Sequence, residues 1–215
     1  MSGPQIHPRP DNHGKPVTIK HPSTATPLDC FDDPTKVAIV VPDGEAPESL
    51  NGTGIAPWKG APTRTAEWLH VNGQAQLSEP AMTPKAGKKM SAGVVTIDPD
   101  GRFWAVAPTN SFGNYKVTFP KGTIDNDMTP QASAIKEAFE ESGLQVEITD
   151  FLGDFERSTS VTRYYMAKRV GGDPATMGWE SQAVLLIPKN DLLAVLDHPN
   201  DKKLVEAVLA KLGGK

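Results

Sequence analysis

Proline most limits where regular structure can form in this chain, because it lacks a backbone N–H and fixes φ, which breaks helix interiors and central strands. Of the 20 prolines among 215 residues, 13 fall in the first 85. The two parts of the chain therefore differ in kind. Residues 1 to about 17 offer almost nothing to bury and read as a disordered tail. From 18 to 85, short apolar pieces at Lys36 to Val41, Gly54 to Trp58 and Glu67 to Val71 are separated by turn-rich segments. That stretch reads as an irregular, strand-containing arm, and residues 86 to 215 as the main domain.

Beyond Ser91 the pattern becomes regular. Ala92 to Ile97 and Arg102 to Ala107 read as two strands around Asp98-Pro99-Asp100-Gly101, whose Asp, Pro and Gly suit a tight turn. Tyr115, Val117 and Phe119 alternate with Lys116 and Thr118, which puts three apolar side chains on one face of a strand ending at Pro120. A loop and a helix follow. Val146 to Phe155, Thr162 to Lys168 and Gln182 to Ile187 are further strands, the last apolar enough to be buried on both faces. Two helices close the chain, the final one with Leu204, Val205, Val208, Leu209 and Leu212 on one stripe, Asn200 or Asp201 as its cap and Gly213 as its stop. This order predicts an α+β fold, a mixed β-sheet sandwiched between α-helices.

Composition excludes some functions. A net charge of -4 argues against a general nucleic-acid or anionic-membrane binder, since affinity for polyanions needs clustered positive charge. Cys30 is the only cysteine, so no intrachain disulfide can form. The N-terminus lacks the apolar core of a signal peptide, and no run approaches the ~18 apolar residues of a membrane span. The expectation is a cytoplasmic protein without nucleic-acid or membrane partners. His7, His13, His21, His70 and His198 lie far from the acidic segment described next and are assigned no catalytic role.

The chemistry-bearing segment runs from Phe119 to Leu144, and its helix boundaries are written in the residues. Thr129 can cap the first amides, Pro130 suits the first helical position, and Gly143 can take the left-handed conformation that ends the helix. At about 100° per residue, Glu137, Glu140 and Glu141 fall within roughly 100° of one another, while Ile135, Ala138 and Phe139 point largely to the other side. A solvated helix face is the plain reading of three such glutamates. Two details point to chemistry instead. Three carboxylates at the negative end of a helix dipole cost about 0.3 to 1 kcal/mol each, only partly offset by Lys136, and a divalent cation would turn that repulsion into coordination. Lys121 and Gly122, which begin the loop feeding the helix, place a cation and a close-approach backbone position where a phosphate could sit.

From Gly122 to Leu144 the segment resembles the Nudix box, whose pattern is Gly, five residues, Glu, seven residues, Arg-Glu, an aliphatic residue, any residue, Glu-Glu, any residue, Gly and an aliphatic residue. Gly122, Glu137, Glu140, Glu141, Gly143 and Leu144 match with every spacing kept. Met128 stands where the family has its first Glu, and Lys136 where it has Arg. The resemblance covers roughly residues 90 to 212. It implies a pyrophosphohydrolase that uses Mg²⁺, with Mn²⁺ as a substitute, held by Glu137, Glu140 and Glu141. These glutamates are the expected catalytic residues, joined by Glu180 in the loop before the last buried strand. The expected substrate contacts are Lys121, Gly122, Arg157, Arg163 and Trp179, with Lys168 a further source of positive charge.

Phe119-Pro120-Lys121-Gly122, with the chain after Trp179, resembles the branch that holds diphosphoinositol polyphosphate and diadenosine polyphosphate hydrolases. The partner is then a small-molecule diphosphate. Hydrolysis of ADP-ribose or a nucleotide sugar is the enzymatic alternative, and a catalytically silent nucleotide sensor is the alternative that Met128 and Lys136 raise. The arm of residues 18 to 85 is a candidate surface for a homodimer.

Overall fold

The computed structural model describes residues 3–214. Strands β1 (Gln5–Ile6) and β2 (Thr18–Ile19) come first, then the single-turn helix α1 (Asp29–Asp32), strand β3 (Ala38–Val40), the hairpin of β4 (Ser49–Leu50) and β5 (Thr53–Gly54), and helix α2 (Thr65–Trp68). The long elements follow: β6 (Lys89–Ile97), β7 (Phe103–Pro108), β8 (Lys121–Thr123), α3 (Pro130–Ser142), β9 (Leu144–Glu156), β10 (Ser160–Gly172), β11 (Ser181–Ile187), α4 (Leu192–Val195) and α5 (Pro199–Gly213).

Seven strands form the central sheet in the order β3-β11-β7-β6-β10-β9, with β8 added to β6. β6 and β10 run parallel from Lys89↔Ser160 to Ile97↔Lys168, and the other pairs are antiparallel, so the sheet is mixed. Alternation along β10 sorts side chains between two layers. Tyr165 and Ala167 join Ile135 and Ala138 of α3, whereas Tyr164 and Met166 join Leu192, Leu204, Val205 and Val208 of α4 and α5. Strand β11, buried along nearly its whole length, lies between β3 and β7. The α+β sandwich is therefore present as the order of elements predicts.

The turn at Asp98 to Gly101 closes as expected, with Asp98 N–H donating to the Arg102 carbonyl at 2.9 Å and Gly101 N–H to the Asp98 carbonyl at 2.9 Å. Beyond it β6 and β7 part, pairing only at Thr96↔Trp104 and Ile97↔Phe103. The expected strand at Tyr115 to Phe119 is not one. Thr118 makes a single bridge to Val106, while Val117 and Phe119 enter the core on the α5 side. Pro120 has no N–H to continue that pairing, and its carbonyl instead accepts from Val94 at 3.2 Å. The chain thus crosses from β7 to β6, and Lys121 to Thr123 become the strand, opposite Gly93 to Ser91. This crossing delivers Lys121 and Gly122 to α3.

Other expectations need correction for long-range reasons. Residues 3 to 17, read as part of a disordered tail, carry β1, which pairs with β2 just beyond them, and bury His7, whose Nε2 donates to the Ser181 carbonyl at 3.1 Å. Glu67 to Val71 is not a strand but lies in and after α2, where buried Trp68 meets Trp58 and Phe139 of α3 with ring centroids 5.9 Å apart in each case. Trp58 and Phe139 also touch edge-on at 5.3 Å. Phe31, Val40, Leu50 and Val71 enter the same core as α3. Neither Asn200 nor Asp201 caps α5: the His198 ring accepts from Asn200 N–H at 3.2 Å, and Asp201 turns inward to Arg157.

Candidate active site

Helix α3 begins and ends where its residues predict. Thr129 Oγ1 accepts from Ala132 N–H at 3.1 Å, Pro130 takes the first helical position, and Gly143 N–H donates to the Phe139 carbonyl at 2.7 Å. Gly143 has φ 69°, and a Cβ there would collide with the Asp173 carbonyl, so both the conformation and the space call for glycine. These stops fix which face of α3 meets β8.

On that face Glu137 is 9% exposed and its carboxyl lies against Gly122, where any Cβ would collide with it. Among the described residues that carboxyl takes no hydrogen bond, and burial, with the charges of Glu141 and Glu140, pushes it up to about 9. Glu141 accepts from Lys121 N–H at 3.0 Å, and burial pushes its carboxyl up to about 7 even though Lys121 pulls the other way. Burial also pushes the Lys121 ammonium down, opposed chiefly by Glu141. Among the described residues Lys121 has no ion pair within the 4.0 Å of a salt bridge. Glu140 is exposed and accepts from Lys136 Nζ at 2.9 Å.

The loop before β11 closes the far side. Gly178 N–H donates to the Glu140 carbonyl at 2.8 Å, and burial with the charge of Glu140 pushes the Glu180 carboxyl up. The Trp179 and Glu180 carbonyls accept from Thr109 Oγ1 and Thr109 N–H, each at 2.8 Å, and Trp179 Nε1 donates to Asn12 of the β1–β2 hairpin at 3.2 Å. Lys121, Gly122, Glu137, Glu140, Glu141, Trp179 and Glu180 are thereby gathered around one end of α3.

A family model for the NUDIX domain matches residues 87–208, which span β6 to α5 and contain all seven residues of this cluster. The chain belongs to the Nudix family. It is accordingly a hydrolase of phosphoanhydride bonds, and enzymes of this family work with a divalent metal ion. A MutT-like protein of Streptomyces ambofaciens is 31% identical over 112 residues, which cover 50% of this chain and 70% of that protein. Among solved structures, a binary complex of a C. elegans Ap4A hydrolase is 21% identical, with a TM-score of 0.49 over 58% of this chain and 99% of that one. A NUDIX hydrolase from Nitrosomonas europaea is 15% identical, with a TM-score of 0.49 over 58% of this chain and 90% of that one.

Two departures from the Nudix box have structural consequences. Met128, at the position of the first Glu, is buried in the core beside α3. Lys136, at the position of Arg, bonds Glu140 and stands 3.5 Å from Asp125; burial works against its charge, but the Glu140 hydrogen bond and the surrounding carboxylates hold its ammonium above the usual lysine range. Sequence reasoning also looked to three cations on the strands, and each has other partners. Arg157 donates to Tyr115 at 2.9 Å, Tyr164 at 3.0 Å and Asp201 at 2.6 Å. Arg163 forks onto Asp154 at 2.7 and 2.8 Å and reaches Glu79 at 2.9 Å. Lys168 pairs with Glu147 at 2.7 Å. Only Arg157 borders the cluster, through Tyr115, a residue that the sequence marks merely as apolar.

The donor set fits a divalent ion. No group of three or more His, Cys, Asp or Glu side chains among the described residues is already gathered tightly enough to enclose a metal. A hard cation such as Mg²⁺ needs no such cage, because it binds through one or two carboxylates and completes its shell with water and substrate phosphates. Glu137 and Glu141 supply such a pair, crowded and short of positive charge. Gly122→Ala tests this contact: the Cβ would displace only the carboxyl end of the Glu137 side chain, so stability should change by less than about 1 kcal/mol while kcat/KM falls about tenfold or more. Thermal melts and initial rates on the same preparation measure both.

Proposed function

We propose that this Nudix hydrolase is a Mg²⁺-dependent enzyme cleaving the diphosphate linkage of a nucleoside diphosphate derivative or related polyphosphate, with dinucleoside polyphosphates or diphosphoinositol polyphosphates the favoured substrates. One observation carries the reading: the buried Glu137 carboxyl against Gly122 and the Glu141 carboxyl on the Lys121 N–H are both pushed up, chiefly by burial, beside a Lys121 ammonium that burial pushes down. The carboxyls call for a cation and the ammonium for an anion, which a metal–diphosphate complex supplies together. The favoured substrates follow from Phe119-Pro120-Lys121-Gly122, as the resemblance implies.

Glu137, Glu140 and Glu141 would hold the ion, Glu140 after release from Lys136. A divalent cation there neutralises charge on phosphate oxygens and makes a water molecule more acidic. Lys121 fixes an oxyanion of the diphosphate, and Gly122 lets the backbone approach it. Glu141, whose carboxyl is pushed up to about 7, accepts the proton of the attacking water, with Glu180 poised on the opposite loop to relay it. Trp179, half-buried at the rim and held by Asn12, offers its ring to the organic moiety beyond the phosphates.

The test is phosphate-coupled turnover across dinucleoside polyphosphates, inositol pyrophosphates, ADP-ribose, nucleotide sugars and nucleoside triphosphates, with Mg²⁺ or Mn²⁺. Turnover is expected with one of the first two classes; a preference for ADP-ribose or nucleotide sugars would replace the substrate assignment. Buried Met128 and the Lys136–Glu140 bond favour a second reading, a silent sensor, and tight binding of a diphosphate with no turnover under any metal would establish it in place of the enzyme.

A further inference from the structure

A lysine side chain with four rotatable carbons and a strongly hydrated head needs something to hold it if it is to meet a phosphate in one place. No carboxylate does this for Lys121 among the described residues, but its ammonium lies 5.0 Å from the centroid of the Tyr115 ring, within cation–π range. That ring also carries the Arg157 guanidinium at 5.6 Å.

The ring is itself held firmly. Its hydroxyl accepts from Arg157 at 2.9 Å and from Asn200 Nδ2 at 2.8 Å, and His198 stacks on it with centroids 3.9 Å apart and 29° between planes. His198 and Asn200 open α5, and Asp201, fully buried one residue later, anchors Arg157 from the same turn. The start of α5 therefore clamps a tyrosine on which Lys121, without an ion pair among the described residues, rests.

We propose that Tyr115 is a positioning residue that fixes Lys121 for the substrate oxyanion, acting through its ring face; this rests on the reading of Lys121 as the oxyanion contact. Truncating the ring frees the ammonium, and because Lys121 contacts the diphosphate in ground and transition states alike, the loss falls on KM and not on kcat.

The experiment uses the full chain with Mg²⁺ and reads two quantities: KM and kcat for the substrate found in the turnover panel, and Kd for inorganic pyrophosphate. Tyr115→Leu is expected to raise KM and Kd about tenfold with kcat within about twofold. Tyr115→Phe, which keeps the ring and loses only the hydroxyl, should stay within about threefold of the wild type in both. In a Lys121→Met background Tyr115→Leu should add nothing further, since the two act as one unit. Tyr115→Met, which retains more volume, repeats the comparison if the leucine variant does not fold. Three results would overturn the inference: unchanged KM and Kd in Tyr115→Leu, equal damage from Tyr115→Phe, or a full additional effect in the Lys121→Met background. Wild type that binds pyrophosphate but turns over nothing would sink the hydrolase reading alone, with the Kd series still deciding the role of Tyr115; wild type that binds no pyrophosphate sinks this inference.

Discussion

Glu137→Gln and Glu141→Gln should each lower kcat/KM by about 10²-fold or more while making the metal-free protein more stable, not less, at pH 8. The second half follows from proton linkage. An unfolded glutamate releases its proton near its ordinary value of 4.5, whereas folded Glu141 keeps it to about 7 and folded Glu137 to about 9. Between those limits the folded chain binds more protons than the unfolded one, so stability falls as pH rises from about 4.5 towards 9. Glutamine keeps the shape and removes the charge. In the metal-free state each substitution should contribute ~1 kcal/mol at pH 8, about 2 to 4 °C in Tm for a chain of this size. Adding a divalent cation should reverse the order, stabilising the wild type more than the variants, because each variant loses one carboxylate of the proposed ligand set. Melts at pH 5 and pH 8, with and without Mg²⁺, check both signs. Gln variants that melt below the wild type at pH 8 without metal, or that retain turnover, would break the link between buried charge and function.

Legibility in the sequence tracks how local the cause is. The ends of α3 were readable because Thr129, Pro130 and Gly143 each act within one turn of where they stand, and the hairpin at Asp98 to Gly101 for the same reason. The acidic face was readable because helical phase follows from spacing. Where the structure departs from expectation, partners lie far along the chain. Tyr115 to Phe119 alternates as a strand should, yet β6 and β7 splay and leave Thr118 one bridge. Arg157 and Arg163 look like free cations until Asp201 and Glu79 arrive from distant segments and the β9–β10 register sets Asp154 opposite Arg163. Before residue 85 the elements are short where proline is dense, but proline density says nothing of their packing, since His7, Trp58 and Trp68 find their contacts in Ser181 and Phe139.

The arm's attachment carries the largest expected stability effect. Arg169 and Asp98 form a 2.6 Å ion pair with neither side chain exposed, and Trp104 Nε1 and Asn51 Nδ2 complete the carboxylate at 2.8 and 2.6 Å. Arg169 also donates to the Leu50 carbonyl at 2.8 Å, so one guanidinium joins β10, the β6–β7 turn and the β4–β5 hairpin. Arg169→Ala leaves Asp98 buried without its countercharge and should destabilise by about 3 to 5 kcal/mol, lowering Tm by roughly 10 °C or more. Replacing both partners by apolar residues of similar volume, Asp98→Leu with Arg169→Met, should be less damaging than the single change, because no unpaired charge remains. Asp98 lies at the far end of β6 from Ala92 and Gly93, about 17 to 20 Å at 3.3 Å per residue, so molecules that stay folded should keep near-normal kcat. Denaturant titration with turnover measured below the transition separates the two effects. A single variant within about 1 kcal/mol of the wild type would mean that water or Asn51 already replaces the arginine, and that the arm is held by the Trp58, Trp68 and Phe139 contacts instead.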